Sequence, residues 1–113
     1  MSKLKGVLFK FGVNPAVVEI EHTLDELHKL IDCDTIDITS RLIGGRRFYI
    51  VCDDEGLLKH KLPTAFYTNI RIALVGNLFV VAFDGVDDIW SLSEEEITHV
   101  LSCKLSYFLL LDI

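Results

Sequence analysis

The sequence has few of the residues on which disulfide-bonded or metal-bound folds depend. Its three cysteines, Cys33, Cys52 and Cys103, are odd in number and form no Cys-x-x-Cys pair. His22 and His28 lie six residues apart, on different faces of a helix start, whereas zinc sites use closely spaced ligand pairs. We therefore expect free cysteines in a reducing cytoplasm, and neither a metal nor another cofactor.

Long apolar runs are also missing. No segment approaches the roughly 20 apolar residues that a membrane-spanning helix needs. Residues 1–6 lack the apolar stretch and the small-residue cleavage site of a secretory signal. These absences predict a soluble cytoplasmic protein that does not associate with membranes.

Positive charge is scarce. The chain has 11 lysines and arginines against 17 aspartates and glutamates, which gives a formal net charge of −6. An acidic chain repels the phosphate backbone of DNA and RNA. General nucleic-acid binding is therefore not expected.

Catalytic motifs are missing too, since no phosphate-binding loop of a standard pattern occurs. His99 precedes Cys103 by four residues, so a helix would bring a base and a thiol to one face. Leucines flank Cys103, however, and a small buried side chain is the favoured interpretation. We assign no catalytic residue and do not expect an enzyme.

Apolar side chains, by contrast, are in excess. Half of the 113 residues are hydrophobic, and the mean hydropathy is +0.39. This length suits one domain, residues 1–113, whose core needs no disulfide or metal. A domain of this size cannot bury so many apolar residues, and exposed apolar patches usually bind partners. We therefore expect a protein partner and a homo-oligomer.

Apolar alternation and turn residues predict a mostly antiparallel sheet. Gly44 and Gly45 mark one hairpin turn, and Pro15 marks another. The last two strands would form a pair or one long kinked strand. Residues 57–69 have no clear period and are predicted to be a loop with about one helical turn. Strands are expected at residues 7–11, 16–21, 35–43, 46–52, 71–75 and 78–83.

Two helices are predicted to begin at capping boxes. Thr23 and Glu26 begin the first helix, which should end near residue 33. Ser93 and Glu96 begin the second, which should run to about residue 107. This order of elements predicts an α+β fold, with a mostly antiparallel sheet of five to six strands and two helices packed on one face. Trp90, just before the second helix, is expected in the core.

Several segments resemble a known family of small proteins, domain of unknown function family 3846. They are the N-terminal hairpin with its capped helix and residues 49–57 (YIVCDDEGL), 72–81 (IALVGNLFVV) and 90–95 (WSLSEE). The resemblance covers about residues 5–104 and implies an accessory protein of a phage or mobile element, without implying a mechanism. The family often carries an Asn-Arg pair after the Leu-Pro of the middle loop. This chain has Thr64 and Ala65 there.

Four arginines are the candidate ligand-binding residues. Arg41, Arg46 and Arg47 lie on the two strands of one predicted hairpin, and Arg71 lies elsewhere. If the four converge, their bidentate donors suit an anion such as a nucleotide signal. The favoured alternative is a solvated hairpin tip with cross-strand charge pairs.

The end of the chain is apolar on every side. We predict that Tyr107, Phe108, Leu110 and Leu111 form an interface between subunits, because large apolar side chains dominate binding energy. The sequence as a whole favours a non-enzymatic accessory protein that acts by protein–protein interaction. The alternative function is a module that sequesters an anionic small molecule through its arginines.

Overall fold

A computed structural model describes residues 3–10, 13–54, 63–67, 73–83, 89–102, 104–105 and 108–111 of the chain. The elements in these residues, in chain order, are β1 (Lys3–Lys10), β2 (Val13–Glu21), α1 (Leu24–Ile31), β3 (Ile36–Ile43), β4 (Arg46–Asp53), β5 (Pro63–Tyr67), β6 (Ala73–Val75), β7 (Leu78–Phe83), β8 (Ile89–Trp90), α2 (Glu94–Ser102), β9 (Lys104–Leu105) and β10 (Phe108–Leu111).

The strand β7 lies at the centre of a six-stranded antiparallel sheet. The strand order is β2-β1-β7-β4-β3, and the short β8 also pairs with β7. Every residue of β7 is apolar, which suits a strand whose two faces are both covered. The N-terminal hairpin and the hairpin at Gly44 and Gly45 form as predicted. The α+β class and the antiparallel sheet are therefore confirmed.

The two helices pack on opposite faces of this sheet, and the prediction that both lie on one face is wrong. α1 belongs to a core cluster in which Leu27 is buried with Phe79 and Val81 of β7. α2 belongs to a second cluster, in which Ile97 is buried with Val80. Successive β7 side chains point to opposite faces, so its unbroken apolar run needs a cover on each side. We call the two sides the α1 face and the α2 face.

A second sheet, of four strands in the order β6-β5-β10-β9, corrects the prediction that residues 57–69 form a loop. β5 lies within that range and pairs in parallel with β10, with Ala65 opposite Leu109. The sequence of β5 begins with Pro63 and does not alternate, so no local pattern marks it as a strand. A partner far along the chain supplies its hydrogen bonds.

The strands β6 and β7 do not pair with each other, because each belongs to a different sheet. Gly76 lies between them with a φ of 75°, a left-handed conformation that favours glycine. The prediction offered a strand pair or one long kinked strand, and the kinked strand is closer to the observed arrangement. The side chain of Asn77 donates to the backbone oxygen of Leu30 at 3.0 Å and so ties this bend to the end of α1.

Both predicted helix starts are confirmed. The Thr23 hydroxyl accepts from the backbone N–H of Glu26 at 3.2 Å. At α2 the capping box is reciprocal, since Ser93 Oγ accepts from the N–H of Glu96 and Glu96 Oε1 accepts from the N–H of Ser93. α2 ends at Ser102 rather than near residue 107, because the chain enters β9 at Lys104.

Candidate functional site

The helix α1 covers only part of the α1 face. α1 and the strand residues beneath it form a closed cluster in which Leu4, Ile31 and Phe79 have no solvent exposure. Farther along the same face, six side chains from three adjacent strands are half-buried or exposed. We call these residues the open face: Ile38, Ser40 and Leu42 of β3, Arg47 and Tyr49 of β4, and Phe83 of β7.

Strand register places the open-face residues side by side. Ser40 is opposite Tyr49 and Leu42 is opposite Arg47 in the β3–β4 ladder. In the β4–β7 ladder Tyr49 is opposite Val81, so the row of Arg47 continues to Phe83. The rings of Tyr49 and Phe83 lie 4.8 Å apart at an interplanar angle of 58°, within the range of favourable aromatic pairs.

Arg47 lies over one ring of this pair, that of Phe83. Its guanidinium carbon is 6.0 Å from the centre of the Phe83 ring, and Nη1 donates to Ser40 Oγ at 2.8 Å. The first contact is a cation–π interaction at the outer edge of its range. Among the ion pairs of the described residues, none joins Arg47 to a carboxylate. Within the part of the chain that the structure describes, the open face therefore combines two aromatic rings with an exposed arginine that forms no ion pair.

Arg46, the preceding residue, points to the opposite side of β4. Its Nη1 lies 3.2 Å from Glu95 Oε1 and its Nη2 lies 4.0 Å from Glu96 Oε2, both on α2. Its guanidinium also lies 5.9 Å from the centre of the Phe48 ring. The charge of Arg46 is thus paired within the protein, and these contacts link α2 to the β3–β4 hairpin.

The three described arginines of the predicted cluster do not converge on one site. Arg41 is half-buried on the α2 face and donates to Thr39 Oγ1 and to the backbone oxygen of Ser40. Arg46 and Arg47 lie on opposite faces, because side chains alternate along a strand. Arg71 lies outside the described residues. Of the three arginines described, Arg47 alone belongs to the open face.

The predicted tail interface lies in the second sheet. Phe108, Leu110 and Leu111 belong to β10, whose backbone pairs with β5 and β9, whereas Tyr107 lies outside the described residues. Their role as a contact between subunits stays a prediction.

Trp90 is not in the core as predicted, because 54% of its surface is exposed. It occupies the short β8 opposite Ala82, where its side chain falls on the outer rim of the α2 face. Its neighbour Ile89 is buried on the α1 face instead. Because successive side chains of a strand point to opposite faces, the two side chains of β8 differ, and here one is buried and the other exposed.

The structure describes two of the three cysteines, Cys33 and Cys52. Cys52 is buried, its Sγ lies 3.7 Å from the backbone oxygen of Asp37, and burial together with the charge of Asp37 raises its pKa to about 12. Cys33 is half-buried beside a shallow depression of about 390 Å³ that His28 and Asp34 help to line. Cys103 lies outside the described residues. Nucleophilic chemistry needs a thiolate, which Cys52 does not provide near neutral pH.

The described residues include no group of three His, Cys, Asp or Glu side chains that could hold a metal ion. In the same part of the chain, no helix has the length and apolar character to cross a membrane.

Sequence reasoning missed the aromatic part of the open face. Arg47 and Tyr49 are two residues apart on a predicted strand, so their shared face was available from alternation. Phe83 could be placed beside them only through the register of β4 against β7, which pairs distant parts of the chain.

A protein-family model matches the sequence. The model described as "Domain of unknown function (DUF3846)" matches residues 4–103, which is most of the chain. No curated protein and no solved structure shows significant similarity to the sequence.

Proposed function

We propose that this chain, which belongs to the DUF3846 family of domains of unknown function, is a non-enzymatic interaction protein that binds a protein partner through its open face. The observation that carries this proposal is that Tyr49, Phe83 and Arg47 meet on the part of the α1 face whose described side chains are half-buried or exposed. The resemblance to proteins of phages and mobile elements supports an accessory role in such an element.

The composition of the open face suits protein binding. Tyrosine, phenylalanine and arginine are enriched in protein interfaces, and tyrosine and arginine dominate their energetic centres. The Tyr49–Phe83 pair would form that centre, while Ile38, of which 41% is exposed, would form the apolar margin. The side chains come from three paired strands, so little conformational entropy is lost when a partner binds.

Self-association belongs to the same proposal. The apolar excess of the chain and its strand β10 support a homo-oligomer, with Tyr107, Phe108, Leu110 and Leu111 at the contact. The open face would then remain available to a different protein.

Site-specific photocrosslinking tests the open face. A benzophenone amino acid is placed at Ile38 and, as a matched control, at Val17, which is 45% exposed on the edge strand at the other end of the sheet. Irradiation in cells should give a discrete adduct from position 38 and none from position 17. Equal adducts from both positions, or none from position 38, would reject the open face as the binding surface.

A second candidate function is the capture of a small anion, favoured by Arg47, which is exposed and forms no ion pair with a described carboxylate. Nucleoside diphosphate is a suitable probe, since arginine binds phosphate through paired N–H donors. A rise in melting temperature that is lost in Arg47→Gln but kept in Arg46→Gln supports this function. An unchanged melting temperature in the wild type excludes it.

A further inference from the structure

Arg47 differs from four other cationic side chains of the described residues, because it forms no ion pair with a described carboxylate. Lys3, Lys5, Lys29 and Arg46 each form an ion pair with a glutamate of the described residues, whereas no such pair joins Arg47. The side chain is exposed, and its known contacts are a hydroxyl and an aromatic ring. Neither contact neutralises its charge.

The geometry leaves most N–H donors of the Arg47 guanidinium available to bind a carboxylate. A guanidinium has five N–H donors in a rigid fork, and one of them is directed to Ser40 Oγ. The contacts with Ser40 and Phe83 hold the group against the sheet, so its remaining donors are oriented before any partner arrives. Preorganisation of this kind lowers the entropic cost of binding.

We infer that the open face recognises a peptide segment in which an aspartate or glutamate stands next to an apolar side chain. The acidic group would bind Arg47, and the apolar neighbour would pack on the rings of Tyr49 and Phe83, which lie 4.8 Å apart. This inference rests on the proposed function, because it names the chemistry of the partner at the same surface.

The net charge of −6 opposes an acidic partner at long range but does not decide the contact. At physiological ionic strength, charges farther away than about 8 Å are largely screened. A carboxylate at Arg47 would be within hydrogen-bonding distance of a charged donor, and such bonds are roughly twice as strong as neutral ones. The net charge should therefore slow association with an acidic partner while the local arginine holds the bound state.

Peptide selection tests this inference. A random dodecapeptide library displayed on phage is selected against the wild-type protein, Arg47→Gln and Arg46→Gln. Arg46→Gln is the matched control, because it removes the adjacent arginine from the opposite face, where its charge is already paired. We expect wild type and Arg46→Gln to enrich peptides with an acidic residue beside an apolar one, and Arg47→Gln to lose the acidic preference.

A double-mutant cycle then measures the contact itself. The best selected peptide and its amide counterpart, with Glu replaced by Gln or Asp by Asn, are titrated against wild type and Arg47→Gln. Each single change should weaken binding about tenfold, and the second change should add little to the first. Independent effects of the two changes would overturn the inference.

The outcomes separate the inference from the function on which it rests. Peptides that need Tyr49 and Phe83, shown by Tyr49→Thr and Phe83→Thr, but carry no acidic preference would overturn the inference and keep the interaction surface. A selection that yields no peptide dependent on either ring would overturn both. Circular dichroism of each variant verifies that loss of binding is not loss of folding.

Discussion

Gly6 lies where two backbones approach closely, and its replacement by alanine is expected to destabilise the fold. A Cβ at this position would lie inside the contact distance of the Val80 backbone oxygen and 2.9 Å from Cε1 of the Phe79 ring. The oxygen cannot retreat, because β7 is hydrogen-bonded to β4 on its other side. β1 cannot move away either, since it is held by both β2 and β7.

The size of the effect follows from these constraints. An added methyl group in a tightly packed region costs about 1–3 kcal/mol, and immovable backbone on both sides puts Gly6→Ala at the upper end. For 113 residues the entropy of unfolding is ~0.24 kcal/mol/K, so a loss of ~3 kcal/mol lowers the melting temperature by ~12 °C. Intrinsic preference alone gives the opposite sign, because alanine is favoured over glycine within a strand by ~0.5–1 kcal/mol.

Gly45→Ala is the control for this measurement. Gly45 has a φ of 82°, and no described atom beyond Gly45 and its two chain neighbours lies within 4 Å of the place that an added Cβ would occupy, so alanine there meets backbone strain without steric overlap. That strain costs about 1 kcal/mol. Thermal unfolding followed by circular dichroism should rank wild type above Gly45→Ala and Gly45→Ala above Gly6→Ala. A Gly6→Ala variant as stable as the wild type would refute the close approach of β1 and β7.

Three further predictions address the helix, the thiol and the tail. Ser93→Ala removes one half of the reciprocal cap of α2 and should cost about 1 kcal/mol, or about 4 °C in melting temperature, whereas Ser102→Ala should change little. Because the pKa of Cys52 is raised from 9.0 to about 12, the unfolded chain loses this proton first as pH rises, so stability should fall between pH 9 and pH 12. Cys52→Val, compared by urea titration, should show a smaller fall over that window, and an identical fall contradicts the buried thiol. Aspartate at both Phe108 and Leu110 should lower the mass in light scattering to that of a monomer, and an unchanged mass in a variant that remains folded would exclude the tail contact.

Local signals in the sequence predicted local structure well. Thr23 with Glu26 and Ser93 with Glu96 marked both helix starts, because capping depends on residues three apart. Gly44 and Gly45 marked a hairpin for the same reason. Both glycines adopt positive φ, which few other residues tolerate.

Features that depend on distant pairing were predicted poorly. The sequence of β5 does not alternate and so gives no strand signal. β5 is a strand because it pairs with β6 and with the parallel β10, and a local sequence pattern does not report these distant partners. The side of the sheet to which each helix packs depends on the direction in which the connecting segments cross it, and no residue pattern reports this.

The candidate site shows the same limit. Arginines are conspicuous in an acidic sequence, and Arg47 is one of the four candidate ligand-binding residues. Strand alternation places Arg46 and Arg47 on opposite faces of the sheet, and this separation can be predicted from the sequence. The meeting of Arg47 with Phe83 depends on the β4–β7 register, which only the fold supplies.

The most direct test of the central claim is the affinity of the protein captured by crosslinking at position 38. Its dissociation constant is measured for the wild type and for Phe83→Ser, with melting temperatures recorded for both. Loss of a central aromatic contact should weaken binding by about 2 kcal/mol, or roughly 30-fold. An unchanged dissociation constant in a folded Phe83→Ser variant would contradict the claim that partners bind at the open face.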